Sequence, residues 1–176
     1  MLFRSPRVDP VTVTITDDNG GVATFGFYVV FYDPSFGFVT GGGWIDSPAG
    51  SYTPNLSLFG KATFGFVSKY KKGATIPDGN TEFQFHAGNL NFKSTVYQWL
   101  VVQGSTRASF KGNGTINGAG NYIFLVSVVD GSPDKLRMKI TDTATNTVVY
   151  DNNIGASEDA VPTTALGGGS IVIHTN

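Results

Sequence analysis

Five oxygen-bearing side chains, Asp130, Asp134, Asp142, Asp151 and Asn152, fall at the ends of successive hydrophobic runs between residues 121 and 152. Calcium takes roughly six to eight oxygens from carboxylates, amides and carbonyls. Alternate connections of an antiparallel meander lie at opposite ends. Asp130 and Asp134 therefore share an end with Asp151 and Asn152, and Asp142 lies at the other. Asp130, Asp134, Asp151 and Asn152 make a candidate Ca²⁺ site on this ground. The chain lacks a full Asp-x-Asp-x-Asp loop, and turn aspartates also cap their own backbone, so both roles stand open on the sequence.

Acid–base chemistry has less to work with. Glu82 and Glu158 are the only glutamates. A glycosidase needs two carboxylates flanking a sugar. Glu82 alternates outward with Gln84 and His86 and could line a groove, but no spacing brings Glu158 to it. His86 has no nucleophile pattern beside it, and His174 sits near the C-terminus. No catalytic residue is assigned. Carbohydrate binding on a sheet uses exposed aromatic rings with polar neighbours, for which Trp44, Tyr52 and Trp99 are the candidates. Trp99 alternates with Tyr97 and Val101, a face that also suits a core, whereas Tyr52 lies in a loop. A Lys–Asn cross-link would suit a cysteine-free extracellular sandwich, with Lys61, Lys139 and Glu82 as candidate members.

The elements that must position these residues are strands. The chain has 176 residues, 40% of them hydrophobic, with 23 Gly, 14 Phe and only 14% charged residues. That length suits one sizeable domain, or a domain plus a fragment. The composition suits many short strands joined by tight turns. Val11–Thr16 alternates Val and Ile against Thr, Asp17-Asp-Asn-Gly-Gly21 turns, and Val22–Tyr32 returns, so an N-terminal hairpin is expected. Further strands are expected at Phe36–Asp46, Lys61–Tyr70, Thr81–Ala87, Leu90–Phe92, Val96–Val102 and Arg107–Lys111. The clearest meander is Tyr122–Val129, Lys135–Thr141 and Thr147–Asp151, and Gly167–His174 closes the chain. Gly41-Gly-Gly43 before Trp44 indicates a bulge or a close backbone approach, since no helix or Lys-Ser/Thr pair comes after it to make a phosphate loop. Gly112–Gly118 holds two Asn-Gly turns. Ala62-Thr-Phe-Gly-Phe66 repeats Ala23-Thr-Phe-Gly-Phe27 word for word, without a repeat period. No segment holds a helical apolar period over three turns. The expected fold is all-β: an antiparallel β-sandwich or jelly roll of about ten to twelve strands with an N-terminal β-hairpin.

Composition also narrows the partners. A net charge of −1 and a pI near 6.0 argue against nucleic acid. The one basic run, Lys69-Tyr-Lys71-Lys72, reads as a solvated strand end. With no Cys there are no disulfides, zinc–thiolate sites or thiol nucleophiles. No apolar run approaches the ~20 residues of a membrane span. Leu2-Phe-Arg-Ser5 matches the translation of a common sequencing adapter. Met1–Ser5 is therefore expected to be an artefact, and the chain the tail of a longer protein with its signal peptide upstream.

Two resemblances add to this reading. Val11-Thr-Val-Thr-Ile-Thr-Asp-Asp-Asn-Gly-Gly21, followed by an aromatic strand, resembles the last two strands of a PKD domain, an immunoglobulin-like module of surface and secreted proteins. The domain's earlier strands and its usual Trp-Asp-Phe-Gly-Asp-Gly motif are absent. Across Phe36–His174, the stretches Gly41-Gly-Gly-Trp-Ile45, Lys61–Tyr70, Glu82-Phe-Gln-Phe85, Trp99-Leu-Val-Val102, Lys111–Gly118, Asp134–Ile140 and Val149–Asn152 resemble the module that comes after PKD repeats at the C-terminus of bacterial secreted and surface proteins. The loop Asp130–Asp134 is shorter than the Gly/Asp-rich loop usual there. The resemblances imply a PKD-like hairpin fragment over residues 1–33 and a β-sandwich module over 36–176. They also imply a non-catalytic structural or adhesive role in a secreted or cell-surface bacterial protein, with Ca²⁺ as a candidate stabiliser. Surface polysaccharide or other surface proteins would be its partners. The alternative is a carbohydrate-binding module of a larger secreted enzyme.

Overall fold

The computed structural model describes residues 5–175, so of the suggested artefact Met1–Ser5 only Ser5 lies among the described residues. The described residues form eleven strands: β1 (Arg7–Thr16), β2 (Val22–Phe31), β3 (Gly37–Ser47), β4 (Gly60–Lys69), β5 (Asp78–Phe85), β6 (Leu90–Gln103), β7 (Arg107–Ile116), β8 (Ala119–Val129), β9 (Lys135–Asp142), β10 (Val148–Asp151) and β11 (Leu166–Thr175). The described residues contain no α-helix, only a 3-10 turn at His86–Gly88. β1 and β2 form their own two-stranded sheet. The other nine make one antiparallel sheet in the order β10-β9-β8-β7-β6-β5-β4-β3-β11. The expected all-antiparallel architecture with an N-terminal hairpin is the one present.

The nine-stranded sheet curls so that its halves face each other across an aromatic core. Phe66 of β4 meets Phe110 of β7 with ring centroids 5.2 Å apart, and Phe83 of β5 meets Tyr150 of β10 at 4.8 Å. Strand alternation supplies the core face: Ala62, Phe64, Phe66 and Ser68 of β4 are buried, while Lys61, Thr63, Gly65 and Val67 face outward.

Two features depart from simple alternation. β6 is one strand where two short ones were expected, because it is bulged between Ser94 and Val96 and again between Tyr97 and Trp99. Each bulge adds a residue and inverts the facing of the residues beyond it. Tyr97, Leu100 and Val102 therefore point into the core, and Trp99 points out. At 112–118 only Asn117-Gly118 is a turn, with both φ positive, 51° and 77°. Asn113-Gly114 is mid-strand, since Lys93 O would lie 2.3 Å and the Phe92 ring 2.4 Å from any Cβ at Gly114.

The two ends of the sheet meet, and side chains close much of the gap. β11 pairs with β3 along its length, and the glycine run does bring the backbones close: a Cβ on Gly169 (φ +102°) would sit 2.1 Å from Gly42 O. On the free edge of β11, Asp134 Oδ2 accepts the Ile171 N–H at 2.8 Å and Asp130 Oδ2 accepts the Ile173 N–H at 2.9 Å. Backbone bonds Leu136 N–H to Thr164 O (3.0 Å) and Leu166 N–H to Asp134 O (2.9 Å) finish that junction. At β10 the Asp151 N–H reaches Ser51 O at 2.8 Å, and Tyr52 bridges Tyr150.

Candidate functional site

The acidic cluster expected to hold calcium is occupied by protein groups. Asp130 and Asp134 serve as acceptors for β11, and Asp134 Oδ1 also accepts the Gly131 N–H at 2.9 Å. Asp151 forms a two-bond pair with Arg137 at 3.0 and 2.9 Å. Asn152 stands in for a strand residue beside β9. Its Oδ1 accepts the Met138 N–H (2.7 Å), and its Nδ2 donates to Leu136 O (2.8 Å) and Thr164 Oγ1 (2.9 Å). Asp142, at the opposite end, caps the Ala144 N–H at 2.7 Å. Among the described residues no three His, Cys, Asp or Glu side chains gather as a metal group. As placed, Asp130, Asp134 and Asn152 serve backbone groups and Asp151 serves a guanidinium.

Arg137 is the group that sequence reasoning passed over. It lies on the outer face of β9, yet its side chain is 0% exposed. The segment 152–165 crosses over it as a strap. Arg137 donates to Ala156 O at 2.9 Å and to Ser157 O as well as to Asp151. Glu158 on the same strap sits between Lys111 (2.9 Å) and Lys139 (3.6 Å). A buried charge needs a partner and satisfied hydrogen bonds, and the strap supplies both. The only warning in the sequence was Arg137 at an outward position flanked by Leu136 and Met138.

The aromatic candidates Trp44, Tyr52 and Trp99 are each half-buried and lie in three different segments. Trp44, outward on β3, lies against Gly167 and Gly168, and the Lys61 ammonium stands 4.7 Å from its ring centre. Tyr52 meets Phe85 edge-on at 5.8 Å and is half-buried against the core. Trp99, outward on β6, is half-buried. Of the proposed cross-link trio, Lys139 pairs with Glu158, Glu82 with Lys93 at 3.2 Å, and Lys61 with the Trp44 ring. His86 is exposed in the 3-10 turn, and His174 stacks on Phe38 at 4.1 Å.

A groove lies apart from the aromatic candidates. It has a volume of about 370 Å³ on the outer face of β4 and β5, lined by Thr63, Gly65, Val67, Asn80, Glu82 and Gln84. Asn80, Glu82 and Gln84 alternate outward on β5, and Gly65 on β4 pairs with Glu82. The outward alternation of Glu82 and Gln84 was legible in the sequence. The open floor was not, because it depends on Gly42 and Gly65 being neighbours across β3 and β4.

These features define an all-β module with a curled antiparallel sheet, a strap and an outer polar groove. No protein-family model, no curated protein and no solved structure matches the chain. Among the described residues no helix is long and apolar enough to cross a membrane.

Proposed function

We propose that this chain is a non-catalytic structural or adhesive module of a secreted or cell-surface protein. The carrying observation is how the sheet is closed. Without a cysteine, it is fastened by the Asp130 and Asp134 carboxylates on β11 and by the Arg137–Asp151 pair under the strap. The ionisable groups at these points hold the fold together and are not presented to a substrate. Antibody labelling of intact cells of the source organism tests the setting. Signal on unlysed cells or in the medium is expected, and signal only after lysis overturns the proposal.

Calcium is the finer part of this reading, and one measurement decides it. Closure by hydrogen bonds alone predicts the same thermal midpoint in millimolar Ca²⁺ and in chelator. A site filled at ~100 times its dissociation constant would add about 2.7 kcal/mol, which raises the midpoint of a chain this size by roughly 5–10 °C.

A second reading, a carbohydrate-binding module of a larger secreted enzyme, is favoured by one specific observation: the outer groove over Gly65 with its polar wall.

A further inference from the structure

We propose that the groove over β4 and β5 binds a neutral, pyranose-containing glycan, with Gly65 as its floor and Asn80, Glu82 and Gln84 as its hydrogen-bonding wall. This rests on the carbohydrate-binding reading and assigns it a site other than the aromatic residues.

The floor is the first argument. Gly65 lies in the middle of β4, outside the positive-φ glycines, and a Cβ built on it meets nothing within 4 Å. Gly42, its partner on β3, would meet only Phe64 O at 3.8 Å. Several other strand glycines have a steric reason, whereas Gly26 of β2, like Gly65, meets nothing within 4 Å. A Cβ would lie 2.4 Å from the Phe66 ring at Gly41, 1.9 Å from Val67 O at Gly79 and 2.1 Å from Val96 O at Gly112. Glycine inside a strand weakens it. Two adjacent glycines that neither packing nor backbone requires leave an open trough as their one structural effect.

The wall is the second argument. Asn80, Glu82 and Gln84 stand about 6.5–7 Å apart along β5, the spacing of alternate strand residues. Amides both donate and accept, and the Glu82 carboxylate has the Lys93 ammonium 3.2 Å away. Donors and acceptors in close alternation, with the local charge cancelled, match sugar hydroxyls, which also do both. They do not match a phosphate or a cation. The methyl groups of Thr63 and Val67 offer an apolar strip for a sugar's C–H face. The volume falls within the roughly 300–1,000 Å³ of small-molecule clefts.

The third argument excludes an added strand. β4 is paired on both edges, with β3 and β5, and β5 is paired with β4 along its length and with β6 over Glu82–Phe85. Along β4 and over Glu82–Phe85, recognition in this groove therefore runs through side chains and not through backbone augmentation.

The test is a titration of the whole chain with soluble xylo-, manno-, cello- and chito-hexaose, followed by backbone amide NMR and calorimetry. One of these should shift the amides of Thr63–Val67 and Asn80–Gln84. Glu82→Ala and Gln84→Ala should each weaken that binding at least ~10-fold, about 1.4 kcal/mol. Gly65→Leu should abolish it while the thermal midpoint holds or rises, because the new side chain enters open space. Binding that survives Gly65→Leu overturns the proposal. So does a folded protein whose groove amides none of the four sugars moves at millimolar concentration. In that second case, surface labelling of intact cells would still uphold the module reading, so the two can fail separately.

Discussion

The pentad Ala-Thr-Phe-Gly-Phe occurs twice, in β2 and in β4, in two different surroundings. In β4, Phe64 and Phe66 are 8% and 7% exposed and stack on one another within the aromatic core. In β2, Phe25 and Phe27 are 68% and 40% exposed. Local sequence settles the strand in both cases and the facing of the rings within it, but not whether anything covers them. The hairpin turns Val11, Val13, Ile15, Phe25 and Phe27 to one side by its register. Only its base is held to the sheet: Val8 is buried, Tyr32 stacks on Tyr70 at 5.4 Å, and the Glu158 N–H reaches the Tyr28 hydroxyl at 3.2 Å. Two strands alone are marginal in water, so the same five residues have a different energetic weight in each place.

The sharpest way to break this comparison is to truncate the paired rings. Phe66→Ala should cost about 3–5 kcal/mol, the usual loss for a buried Phe. Phe25→Ala should stay within about 0.5 kcal/mol, as for surface sites. Urea unfolding reads both when tryptophan fluorescence, which reports the large sheet through Trp44 and Trp99, is paired with far-UV circular dichroism, which also reports the hairpin. Equal costs would mean that the hairpin face is covered in solution.

The strap ranks next. Arg137→Met leaves Asp151 buried without its partner, which should cost about 3–5 kcal/mol. Arg137→Met with Asp151→Leu should recover most of that loss. If the single variant were neutral, the strap would not depend on its ion pair. The seam is weaker: Asp134→Ala removes a charged acceptor from Ile171 N–H and Gly131 N–H and should cost about 1.5–3 kcal/mol. Hydrogen exchange at Ile171 should accelerate while exchange at Phe64 does not.

Alkaline pH acts on the large sheet in its own way. Burial pushes Tyr70 up to about 12, against its hydrogen bonding with Leu100, and burial likewise pushes Tyr97 and Tyr150 above the ordinary phenol value. The unfolded chain releases these protons near pH ~10, before the folded chain does. The stabilisation is therefore complete below about pH 10 and is lost as pH rises toward about 12. Unfolding midpoints across this range should fall, and Tyr150→Phe should make the fall shallower.

The same contrast governs which parts could be read in advance. Val11–Thr16, Val22–Tyr32 and the meander from Tyr122 to Asp151 were legible because their alternation is unbroken and their turns are local. β6 was not, because two bulges shift its phase, so Tyr97 and Trp99 face opposite ways despite sitting two residues apart. The acidic residues were legible as a group, but their role was not. Nothing in the spacing shows that Asp130 and Asp134 meet the free edge of β11, some forty residues later. Nor does spacing show that residues 156 and 157 return to cap Arg137. The groove was half legible, its wall from the alternation in β5 and its floor only from strand pairing.

The smallest expected effect concerns the contact at the hairpin's base. Tyr28→Phe removes one exposed acceptor for Glu158 N–H and should change global stability by no more than about 0.5 kcal/mol. Its consequence should be local. Stability in a protein is distributed, and weakly packed units open below the global free energy. The amides of β1 and β2 should already exchange faster than those of β4, whose strand is paired on both edges and backed by the core. Tyr28→Phe should widen that gap by quickening the hairpin alone. If β4 quickened in step with β2, the hairpin would open only with the sheet, and the two copies of the pentad would belong to one cooperative unit despite their different exposure.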